Sequence, residues 1–115
     1  MQGNYFWKKR WEGTPVPRWE DARELLPEPV LDNRPEALEA FHAAWRGCLA
    51  GLRSPTPSNG FVSNYLFMPF NDCIFAHDTA VMMLFARYGT RVFDPAESFD
   101  NFYAAKTSGA CCQGW

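Results

Sequence analysis

The sequence predicts an all-α fold in which one helix is left without a cover. Three observations lead there. Leu38, Phe41, Trp45, Cys48 or Leu49, and Leu52 recur at helical spacing and make one apolar stripe. Residues 80–86, Ala-Val-Met-Met-Leu-Phe-Ala, are apolar on every side, whereas a helix of a small free bundle keeps one wet face. Asp94-Pro95-Ala96-Glu97 is a helix-start signature, with a capping acid, proline at the first position and a glutamate inside the first turn.

Residues 1–34 form the first region. Pro15, Pro17, Pro27 and Pro29 interrupt any regular run and predict an extended arm with short turns, pinned by Trp7, Trp11 and Trp19. The second region, 35–115, holds the helices. The first has Asp32 or Asn33 as candidate caps, Pro35 in its first turn, and Glu36 and Glu39 near its positive end. It is expected to stop near residues 51–53, ahead of the stiff turn Ser54-Pro55-Thr56-Pro57-Ser58-Asn59-Gly60. An aromatic loop follows, in which residues 61–67 could run extended. The next helix is expected to be capped by Asp78 and stopped by Gly89, and to fold back as a hairpin against the helix opened by Asp94. Phe99, Phe102 and Tyr103 give that last helix a single apolar face.

Composition sets limits on function. With 115 residues, 47% hydrophobic and 17% aromatic, the chain is one domain or part of one, with enough apolar mass for a core. A net charge of −2 supplies no field for DNA, RNA or an anionic membrane. Trp7-Lys8-Lys9-Arg10-Trp11 interleaves rings and cations as single-strand binders do, but stands alone in a slightly acidic chain. No apolar run is long enough to span a bilayer, and the amino terminus lacks an apolar signal segment, so a cytoplasmic location is the default expectation. Cys48, Cys73, Cys111 and Cys112 form no CxxC pair and, with His42 and His77, fit no zinc spacing. No metal or cofactor is expected. Free thiols are the plain reading, and a disulfide between Cys111 and Cys112 rests on adjacency alone.

Residues 59–78, NGFVSNYLFMPFNDCIFAHD, concentrate amides, carboxylates and rings ahead of the apolar helix. Flat rings stack on sugar faces, and carboxylates or amides hold sugar hydroxyls through charge-assisted bonds. Leu26-Pro27-Glu28-Pro29, Pro35-Glu36-Ala37, Trp45, Asn59 to Tyr65, Phe70-Asn71-Asp72, Ile74-Phe75, Asp78 with Met82-Met83, Phe85 to Gly89 and Asp100 to Tyr103 together resemble the amino-terminal part of the six-hairpin glycosidases. Mannosylglycerate hydrolases, trehalases and processing α-glucosidases belong to that superfamily.

That resemblance implies an incomplete (α/α)6 toroid of about one and a half helical hairpins, with residues 80–86 as an inner helix. It implies a sugar-binding subsite for an α-linked carbohydrate. Asp78 would accept from hydroxyls, Tyr65, Phe70 and Phe75 would offer stacking faces, and Asn71 and Asp72 would add polar contacts. No catalytic residue is expected within this stretch, because the resemblance places the general acid and base downstream and glycoside hydrolysis needs both. His77 stands where the family carries tryptophan, and residues 104–115 depart from the family pattern. The function expected is a glycoside hydrolase-like fragment that binds sugar without catalysing alone. The alternative is a small helical module that associates with itself or a partner through exposed apolar surface.

Overall fold

The computed structural model describes residues 9–67 and 74–104. Within them the chain is helix-rich and forms no closed barrel. Residues 9–18 have no regular structure, and α1 (Trp19–Ala22) is a single turn that the proline-broken arm did not announce. The long helix α2 (Pro35–Ala50) has Pro35 at its first position and Gly51 as its C-cap, close to the expected limits. Its N-cap is Arg34, with no side-chain cap bond, so neither Asp32 nor Asn33 serves.

The all-α expectation needs one amendment. After α2, β1 (Leu52–Arg53) pairs antiparallel with β2 (Tyr65–Leu66), Leu52 opposite Leu66. Two residues per strand give too short an alternation for a sequence pattern to reveal. The second long helix, α3 (Ala76–Ala86), starts two residues before Asp78, and its N-cap is Phe75. Asp78 therefore lies inside the first turn and does not cap, although a carboxylate there still faces the positive end of the helix. α3 leads through a 3₁₀ turn, Arg87–Gly89, to a second 3₁₀ segment, Pro95–Phe99, and then α4 (Asp100–Ala104). Asp94 caps this last unit as expected, accepting from the Ala96 amide at 3.0 Å.

The core is organised around Trp45, which is 1% exposed. Its ring meets Phe85 of α3 with centroids 4.3 Å apart and Phe41 edge-on at 6.3 Å. Ala22, Leu26 and Leu49 pack around it, and Trp19 holds the arm to the same cluster. Gly89 is the point of closest approach. A Cβ there would lie 3.0 Å from both the Trp45 ring and the Phe93 ring. The need for glycine is thus side-chain space rather than a left-handed backbone stop.

Leu52, Leu66 and Ala86 make a second cluster, and Phe61, Ile74 and Phe102 a third. Residues 61–66 have little backbone pairing of their own, so side chains of the last unit dock them. Asn101, with no exposed surface, accepts from the Val62 amide at 2.8 Å and the Ser63 amide at 3.1 Å, and donates to the Ser63 carbonyl at 3.0 Å. Ser98 accepts from the Leu66 amide at 3.1 Å. The arm joins this frame through Lys9, whose ammonium bridges Glu97 at 3.0 Å and Asp100 at 2.5 Å. Burial alone would lower the pKa of that ammonium, but bonding to two carboxylates raises it above the ordinary lysine value. Asp100 also accepts from the Ser63 hydroxyl at 3.2 Å.

Replacing Asn101 by alanine strands two amides and a carbonyl in a dry site, at roughly 1 kcal/mol or more for each. Asn101→Ala is expected to lower unfolding free energy by about 3 kcal/mol in urea titration. A loss below about 1 kcal/mol would show that the docking of residues 61–66 does not depend on it.

Candidate functional site

The residues expected to line a sugar subsite are distributed as follows. Phe70, Asn71 and Asp72 lie outside the described residues, as do Cys73, Cys111, Cys112 and Trp7. Tyr65 sits in β2 with its ring edge-on to Phe61 at 4.8 Å, against the third core cluster, and its hydroxyl accepts from Asn59 Nδ2 at 3.4 Å. Phe75 is half-buried just before α3. Asp78 is half-buried in the first turn, and among the described residues its carboxylate meets no hydrogen-bond or ion-pair partner. Asp100 is committed to Lys9 and Ser63.

The feature that stands out is α3 itself. Thr79 and Ala86 are fully buried on one side. On the opposite side Val81 is 53% exposed and Leu84 64%, and Tyr88, in the 3₁₀ turn that follows, is 56% exposed. Within α3, exposed His77, Val81 and Leu84 are spaced by four and three residues. That alternation keeps side chains in one line along a helix and is the pattern that seats against a second helix. Of residues 80–86, Ala86 is buried and Met82, Met83 and Phe85 are half-buried, so the bare part is Ala80, Val81 and Leu84. Tyr88 also borders a largely apolar groove of about 340 Å³ lined by Pro27, Glu28, Pro29, Phe41, Trp45 and Phe85.

Two further cavities bear on function. One, of about 230 Å³, is lined by Lys9, Arg10, Trp11, Glu12, Thr14, Val62, Ser63 and Glu97. Its floor is the ion-paired frame already described, so Lys9, which belonged to the basic Trp7–Trp11 pattern, spends its charge internally. The other, about 280 Å³, is apolar and lies between α2 and α3 beside Leu66, with Cys48 in its wall. Burial pushes the Cys48 thiol up to about 11. Among the described residues, no group of His, Cys, Asp or Glu could hold a metal ion, and no helix is long and apolar enough to cross a membrane.

Compared with models of known families, with curated proteins and with solved structures, the chain finds no significant match.

The cause of the Cys48 shift has a measurable sign. A thiol held neutral up to about pH 11 is almost wholly protonated at pH 8, and only the thiolate is nucleophilic. Alkylation of the Cys48 peptide, followed by mass spectrometry in the folded chain, is expected to be slow at pH 8 and still accelerating at pH 10. In urea, where the thiol titrates near its free value of about 8.5, the rate should level off by pH 10. Equal pH profiles in the two states would contradict the burial.

Proposed function

We propose that this chain acts by helix docking: the outward face of α3 seats against another helix, with the groove beside Tyr88 receiving its flank. The carrying observation is that Val81 and Leu84 are each more than half exposed on a helix whose other side buries Thr79 and Ala86, with Tyr88 exposed in the 3₁₀ turn that follows. Scattered apolar residues on a surface are ordinary, whereas a continuous line next to an apolar groove marks a contact site. A helix is the fitting occupant because the spacing is that of interdigitating helices and not of an extended strand.

The experiment is hydrogen exchange with a designed amphipathic helical peptide, apolar along one seam, added in excess. Amides of α3 and the Tyr88 side of the groove are expected to gain protection, and α1 is not. Unchanged exchange in α3 at saturating peptide would refute docking on this face.

A second reading is supported by the glycosidase resemblance and by the carboxylate of Asp78, which meets no partner among the described residues. In it, α3 is the inner helix of an incomplete α/α toroid, the bare face is where further hairpins pack, and Asp78 accepts from hydroxyls of an α-linked sugar. The charge-assisted bonds of a carboxylate to vicinal hydroxyls would give that contact its direction. Titration of the chain with α-linked glucosides and mannosides, observed in the NMR spectrum, is expected to shift Asp78 and its neighbours. Those shifts should vanish in Asp78→Asn. Shifts that persist in the variant, or none at millimolar sugar, would remove the sugar reading and leave docking standing.

A further inference from the structure

We infer that the groove lined by residues 27–29 and the rings of Phe41, Phe85 and Tyr88 is a binding site for a small organic cation of the quaternary ammonium class. The inference goes beyond helix docking and does not depend on α3 being covered.

The lining carries the argument. Every residue around this cavity of about 340 Å³ bears a ring except Glu28, which is the one charged group in its wall. The faces of aromatic rings attract cations, most strongly where water is excluded. The Glu28 carboxylate adds attraction for a positive charge and disfavours anions. An ammonium with N–H groups would lose hydrogen bonds to water in a wall this poor in acceptors. A quaternary ammonium has no N–H to satisfy, and its methyl groups pack on rings. The volume lies at the small end of ligand sites, which suits a free molecule.

The wall is set before any ligand arrives. Trp45 is 1% exposed, and its indole lies 4.3 Å from the Phe85 ring and meets Phe41 edge-on at 6.3 Å, so both phenyl rings are held from behind. Proline on each side of Glu28 fixes the backbone φ of residues 27 and 29, and Pro29 restricts Glu28 itself to extended conformations. A wall that need not be ordered on binding costs little affinity.

Neighbouring charges leave room for a ligand. Among the described residues Glu28 meets only His42, Nε2 to Oε2 at 3.3 Å, and its side chain stays 62% exposed. Arg87 lies over the Tyr88 ring at 5.0 Å and bonds its hydroxyl at 3.0 Å, which takes one face of that ring and leaves the other. Neither His42 nor Arg87 lines the cavity.

The test is an NMR titration of the whole chain with choline and, separately, with the uncharged analogue in which a tert-butyl group replaces the trimethylammonium group. Choline is expected to shift the Glu28, Val30 and Tyr88 amides and the ring protons of Phe41 and Phe85. The analogue, alike in shape, should bind at least about tenfold more weakly. Glu28→Gln removes the charge, and Tyr88→Leu keeps apolar bulk while removing a ring face. Each should weaken choline binding by about threefold or more. Both residues are exposed, so circular dichroism of the variants should match the parent chain.

Equal affinity for the uncharged analogue would overturn the proposal, since the groove would then be apolar and nothing more. So would the absence of shifts at millimolar choline, shifts confined to other residues, or binding that neither substitution weakens. A trimethyllysine peptide that binds where free choline does not would overturn the small-ligand assignment and give the groove to a protein partner.

Discussion

Everything else in this molecule is arranged around the contact between Trp45 and Phe85. It joins the two long helices at a ring separation of 4.3 Å, and Gly89 is tucked beneath the same indole. That contact fixes which side of α3 is turned inward. Once Phe85, Met82 and Ala86 face the first two core clusters, Val81 and Leu84 must point away, since a helix turns 100° per residue. The outward apolar line is a geometric consequence of how Trp45 is buried. Truncating a buried tryptophan typically costs 3–5 kcal/mol, so this contact also governs whether the face is presented at all.

α2 and the opening of the last unit were legible in the sequence because each has a local signal strong enough to survive its context. The stripe from Leu38 to Leu49 has the helical period and lies in α2, which ends at Ala50, whereas Leu52, counted in the same stripe, belongs to β1. Asp94-Pro95 opens the last unit as read, and its cap bond is present. Other features depend on atoms distant in sequence. Nothing near Lys9 announces that its charge is held by Glu97 and Asp100 some ninety residues away. Nor does Asn101 advertise that it replaces the backbone pairing residues 61–63 lack.

The candidate site divides the same way. That residues 80–86 lack a wet face was plain from composition, and Val81 and Leu84 at 53% and 64% exposure show where the deficit falls. What composition hid was the division within the helix. A run that is apolar throughout gives no periodicity, so the buried and bare sides became distinct only when Trp45 chose between them. Phase information was absent from the pattern, so nothing in it told that Val81 and Leu84 face outward.

The docking and sugar readings place opposing demands on Asp78. As a sugar ligand, the carboxylate must keep water or hydroxyls in reach and stay clear of cations. Under a docked helix it would sit at the rim of a closing apolar seam. Covering Val81 and Leu84 gains on the order of 1 kcal/mol for each half-exposed apolar side chain. Association alone costs upward of about 4 kcal/mol, so a docked helix has to bring apolar contacts beyond those two. A carboxylate holding a sugar would keep the N-terminal end of α3 open, so the two readings exclude one another at this residue.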